Sequence, residues 1–172
     1  MENPQPNEHQ QQMLKAKMTL EHNFKSGAGW FNWIAGLSVL NSAAFLMGLN
    51  WAFIVGLGVT QMVDAIVYQL MQEEGMSASI KYFGFGIDVL ISAVFVLFGF
   101  FARKGHTWAF FVGMFVYFLD ALIFLLLLEK PDWMSIGFHG FALYCIWGGF
   151  QAGRQLKLLE EHEQQASMGE MR

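Results

Sequence analysis

Gly36-Leu37-Ser38-Val39-Leu40-Asn41-Ser42-Ala43-Ala44-Phe45 returns later in the chain as Gly86-Ile87-Asp88-Val89-Leu90-Ile91-Ser92-Ala93-Val94-Phe95, and Trp51-Ala52-Phe53-Ile54-Val55-Gly56 returns as Trp108-Ala109-Phe110-Phe111-Val112-Gly113. The second block runs on to Asp64-Ala65-Ile66-Val67 in one copy and, with one gap, to Asp120-Ala121-Leu122-Ile123 in the other. Two apolar blocks repeated in order predict a duplicated helical hairpin. Each copy carries an aspartate where hydrocarbon would not tolerate one cheaply, and such a residue marks a candidate site.

The sequence around these blocks fits a membrane environment. Of 172 residues, 55% are hydrophobic, 16% aromatic and only 14% charged, against roughly 25% charged residues in soluble domains. Five apolar segments approach the ~20 residues that cross a bilayer core: Ala28 to Gly48, Asn50 to Met71, Ile80 to Ala102, Thr107 to Leu128, and Trp133 to Ala152. Charge, Gly or Pro marks the turns at Gln72-Glu73-Glu74-Gly75, Arg103-Lys104-Gly105-His106 and Glu129-Lys130-Pro131-Asp132. The expected fold class is an all-α integral membrane protein with five transmembrane helices. The first four form two repeated hairpins (28–72 and 80–128), and a fifth helix follows at 133–152. A polar N-terminal tail (1–27) and a charged C-terminal tail (153–172) flank this 28–152 domain.

Pro4, Pro6 and Pro131 all lie outside the apolar segments, so continuous spans are expected. Five crossings put the termini on opposite sides. Lys15, Lys17, Lys25, Lys81 and Lys130 then fall on one side, and Arg103, Lys104, Arg154, Lys157 and Arg172 on the other, which leaves orientation open. The formal charge of −4 and the absence of a basic run in the sequence argue against nucleic acid and against a strongly anionic lipid site. A single cysteine, Cys145, excludes an intramolecular disulfide. The first 26 residues lack the apolar core of a signal peptide.

In parallel repeats of two spans each, Asp64 and Asp120 become symmetry equivalents. Counting along the helices places both, with Asp88, in one layer roughly 12 Å below the surface, and His139 falls close to it. Gln61, Tyr68, Tyr117, Asn41 and Ser92 stand at helical spacings that would surround these acids. Three carboxylates in low dielectric cannot all ionise, which suits proton transfer, and with a neutral imidazole they could also hold a cation.

Three readings follow. The first is a small proton- or cation-linked channel or carrier using Asp64, Asp88 and Asp120. The second is a noncatalytic membrane scaffold or subunit whose polar layer only fixes helix packing. The third is an intramembrane metal hydrolase with Asp64, Asp88, Asp120 and His139 around a metal. No catalytic signature is present, which weighs against an enzyme. A bound cation is the one cofactor the residues suggest. The expected partners are membrane lipids and a second copy or another membrane protein, with no nucleic acid, and the expected location is a prokaryotic inner membrane crossed several times.

Overall fold

The computed structural model describes residues 8–49, 56–73, 77–126 and 133–170. They form five helices and no strands: α1 (Glu8–Leu46), α2 (Gly58–Leu70), α3 (Ile80–Arg103), α4 (Thr107–Leu126) and α5 (Trp133–Glu170). Of the described helices, α3 is long and apolar enough by itself to cross a membrane, and α4 is apolar over the shorter stretch Thr107–Ile123.

The helices α1 and α3 end alike. Gly48 takes φ 74° after α1 and Gly105 takes φ 83° after α3, a left-handed conformation open to glycine at little cost. In each case the residue after the glycine bonds back five positions (Leu49 N–H to Ala44 O, 3.0 Å; His106 N–H to Phe101 O, 3.1 Å). The glycine itself bonds back three (Gly48 to Phe45 and Gly105 to Ala102, both 2.9 Å). This is a Schellman cap, and it stands three residues ahead of Trp51 in one copy and of Trp108 in the other.

Cross-contacts fix the helix directions. Along α1, Gly29 lies by Arg103, Asn32 by Gly99, and Phe31 by Phe98 and Phe95, so α3 runs antiparallel to α1. Gly27 meets Gly149, Phe24 meets Gly153, and Lys17 pairs with Glu163 at 2.8 Å, so α5 is also antiparallel to α1. Gly27 and Gly149 let two backbones touch, since a Cβ on Gly149 would sit 2.5 Å from the Cα of Gly27. Both ends of the described chain therefore lie at one end of the bundle, contrary to the opposite placement expected from five crossings. Nor do the polar tails stand apart: α1 and α5 run through the expected boundaries at 27 and 153 without a break.

The reason is α2. Instead of a continuous span over 50–71, it is a helix of 13 residues, about 20 Å long, that starts inside the bundle. Leu49 closes the cap of α1, yet Gly56 is back beside Ser38 and Asn41, where a Cβ would lie 2.9 Å from Asn41 Nδ2. Partners of α2 then climb α1 from Ser38 to Ser42 and descend α3 from Asp88 to Gly84. Hence α2 runs parallel to α1 and returns to the end where α1 finished. Helices α1 and α3 are antiparallel while α2 and α4 share a direction, so no rotation about one axis superposes the two copies. The sequence repeat does not produce the expected parallel symmetry, because α2, the counterpart of α4, starts inside the bundle and runs parallel to α1.

The core is aromatic at the tail end, where Phe31 contacts Phe95, Phe98 and Phe110 with ring centroids 6.1 to 6.5 Å apart. Toward the middle, buried positions turn polar: Ser38, Asn41, Ser42, Thr60, Asp88, Ser92, Asp120, Ser135 and His139. The outer faces of α3, α4 and α5 carry exposed Leu90, Leu97, Phe100, Phe115, Phe118 and Phe141. A cluster of buried polar groups thus sits in the middle of an otherwise apolar core, beneath outer faces that expose large apolar side chains.

Candidate functional site

The start of α2 is the structural centre of the polar interior. A helix begins with unpaired N–H groups that must find acceptors when buried. Leu57, the residue before the first turn, is fully buried and has no side-chain oxygen to offer. Other helices supply the acceptors. Leu57 N–H donates to Ser38 Oγ of α1 at 2.7 Å. Gly58 N–H donates to Asp120 Oδ2 of α4 at 2.7 Å, and Val59 N–H donates to Asp120 Oδ1 at 2.9 Å. Thr60 Oγ1 closes the turn by donating to Leu57 O at 2.8 Å. A carboxylate at this position also meets the positive end of the helix dipole.

Asp120 has a further partner. His139 Nδ1 donates to Ser135 O at 2.7 Å, which fixes the tautomer because a carbonyl can only accept. His139 Nε2 lies 3.0 Å from Asp120 Oδ2, so that contact needs one more proton, carried either by the imidazole or by the acid. Tyr117 stacks on the imidazole at 4.4 Å between centroids and 19° between planes. That is the geometry in which an aromatic face favours a cationic ring. Both members of the pair are buried, at 5% and 1% exposure, and Asp120 is fully engaged.

The second centre lies further along α2. Asp64 faces Asp88 of α3, with Ser42 of α1 within reach of both. Gly84, one turn before Asp88, admits Val67 and brings α2 against α3. Asp88 is completely buried, yet neither of its carboxyl oxygens has a partner in hydrogen-bonding geometry, and the same holds for Ser42 Oγ and Ser92 Oγ. Buried oxygens without partners are rare in native interiors, since each costs roughly 1 to 3 kcal/mol.

The expected single layer is therefore two sites. Asp64 is paired with Asp88 and not with Asp120, because α2 separates them: Asp64 stands six positions beyond Gly58, which Asp120 holds, or about 9 Å along the helix. His139 belongs to Asp120. Among the described residues no group of three or more His, Cys, Asp and Glu side chains is placed to hold a metal ion, so Asp64, Asp88, Asp120 and His139 are not gathered into one coordination sphere. Of the surrounding residues, Tyr117 and Ser92 are buried, and Asn41 is buried against Gly56. Gln61 is half-buried, and Tyr68 points outward at 57% exposure. The capping role of Ser38 was missed, since nothing in the sequence ties Ser38 to Leu57 before α2 is seen to start inside the bundle.

No protein-family model, curated protein or solved structure is significantly similar to this chain.

Proposed function

We propose that the chain is a small proton-linked membrane channel or carrier in which Asp64 and Asp88 exchange the proton while Asp120 and His139 hold the fold. The large apolar side chains exposed on α3, α4 and α5, around acids buried in the core, support placement in a bilayer. On that placement α1, α3, α4 and α5 cross, and α2 is a re-entrant half-helix. Its start sits level with Ser38, eight residues from the end of α1, or about 12 Å in, near the middle of a ~30 Å core. Irregular backbone at that depth is tolerated only when its polar groups are satisfied by protein, as Ser38 and Asp120 do here. The repeat then describes two related hairpins of which one fails to cross.

With both ends on one side, the positive charges no longer balance. Lys15, Lys17, Lys25, Arg103, Lys104, Arg154 and Lys157 share the end bearing the tails, and among the described residues Lys81 is left opposite. The tail end is then cytoplasmic.

One observation carries the functional part: Asp88 is sealed from solvent with both oxygens unengaged, opposite a second acid. Two carboxylates present only acceptors to each other, so a bond between them requires a proton. Asp120 has its partners and reads as structure, whereas Asp88 does not and reads as function. The scaffold reading fits the Asp120 half of the interior and leaves the orphan oxygens unexplained. Purified protein in liposomes enclosing a pH-sensitive dye, driven by a potassium diffusion potential, tests the proposal. Asp88→Asn should lower proton flux at least tenfold while thermal unfolding stays within a few degrees. Equal flux in the folded variant would rule the carboxyl pair out.

A further inference from the structure

A basic pocket forms at the tail end of the bundle from segments distant in the sequence. Arg103 and Lys104 close α3, Arg154 and Lys157 lie on α5 where it leaves the bundle, and Phe110 and Phe150 contribute apolar lining, around a cavity of about 200 Å³. Lys157 Nζ reaches the Gly105 carbonyl at 3.4 Å, which ties α5 to the Schellman turn, and Lys104 Nζ lies 4.2 Å over the Phe100 ring. Among the described residues none of the four cations forms an ion pair. Glu160 is the one acid at the rim. Arg103 also borders a second groove of about 470 Å³ along α1, lined by Trp30, Trp33 and Leu37, and Gly29 leaves room for its guanidinium, since a Cβ there would lie 3.3 Å from Arg103 Nη2.

We infer that this pocket binds the phosphate of an anionic phospholipid headgroup from the cytoplasmic leaflet. Four cations without an ion pair line one cavity, and the guanidinium groups of Arg103 and Arg154 can each offer a phosphate diester two parallel donors. The continuation past Arg103 into a tryptophan-lined apolar groove favours a lipid over a free anion, because a headgroup carries a chain that must lie somewhere apolar. This proposal departs from the sequence reading, which finds no basic run to suggest an anionic-lipid site, because the cations of the pocket come from segments distant in the chain. The inference rests on the bilayer placement above but not on proton movement.

Native mass spectrometry of the full chain in neutral detergent tests it, with phosphatidylglycerol, phosphatidylcholine and inorganic phosphate as probes. The wild type should retain phosphatidylglycerol well above phosphatidylcholine. The double variant Arg154→Gln, Lys157→Gln should lose that preference by about tenfold with unchanged thermal unfolding, and millimolar phosphate should not displace the lipid. Equal retention of the two lipids, an unaffected variant, or displacement by phosphate would each overturn the assignment. Carbonate extraction separates the two levels of failure. Protein released from membranes ends the bilayer reading and this inference together, whereas protein that stays embedded without headgroup preference ends this inference alone.

Discussion

Asp120 on α4 accepts the Gly58 backbone N–H at 2.7 Å, so one side chain anchors the start of a helix 62 residues earlier in the chain. With its second oxygen on Val59 and His139 on its flank, this carboxyl group joins α2, α4 and α5. Asp120→Ala should therefore destabilise the protein strongly, by about 2 to 4 kcal/mol, since it removes a helix cap and strands buried donors. Asp120→Asn should cost less, because one oxygen remains to accept. Denaturant or thermal unfolding in detergent reads both; equal, small losses would show that the cap contributes little.

Asp88 should behave in the opposite way. No hydrogen bond to its oxygens has standard geometry, although Ser42 and Asp64 lie within reach, so Asp88→Leu should leave stability unchanged or raise it by about 1 kcal/mol, as removal of an unsatisfied buried polar group does. A large loss of stability on unfolding would mean that Asp88 holds the helices together.

Tyr117 offers a finer contrast. Its hydroxyl is buried without a partner while its ring stacks on His139. Tyr117→Phe should change stability by less than about 0.5 kcal/mol, whereas Tyr117→Leu should lose the ring contact at about 0.5 to 1.5 kcal/mol beyond its packing cost. The difference between the two variants in thermal unfolding is the measurement.

Topology is open to direct labelling. Lys17 and Glu163 form an ion pair at 2.8 Å between long side chains, so the double variant Lys17→Cys, Glu163→Cys, made with Cys145→Ala, should be joined by a short bifunctional thiol reagent that spans more than a disulfide does. Tags at the two ends should be digested from the same face of sealed vesicles. Five full crossings would put them on opposite faces and prevent the cross-link.

The same tail contact gives a pH dependence. The hydrogen bond to Glu163 raises the Lys17 ammonium above its ordinary value of 10.5. The stabilisation from this pair is therefore complete below pH 10.5 and fades as pH rises through the folded-state value. Spin labels at Glu21 and His162 should report a wider tail separation in Lys17→Met than in the wild type at pH ~8, and the difference should shrink as pH rises past the folded-state value of Lys17.

Much of the architecture was legible in the residues. Apolar runs bounded by Gly48, Gly105 and charge located the helices, and the aspartates at 64, 88 and 120 announced a polar interior. Gly48 and Gly105 even end two helices with the same cap. The fate of the second apolar run was not legible. Trp51 to Met71 matches Trp108 to Leu128 in hydrophobicity, so periodicity predicts the same span for both. The difference arises from acceptors that other helices bring, Ser38 Oγ and the Asp120 carboxyl group, which let backbone N–H groups start a helix in the interior.

The sequence by itself determined helical class and the acidic residues of a buried polar cluster, because hydrophobic period and charge within an apolar run are local properties of a chain. Only tertiary structure decided which acid meets which partner, that both ends share one face, and that Arg103, Lys104, Arg154 and Lys157 surround one cavity. Those outcomes depend on the direction in which each helix runs, and a single buried helix start, capped from across the bundle, sets that direction for all that follows.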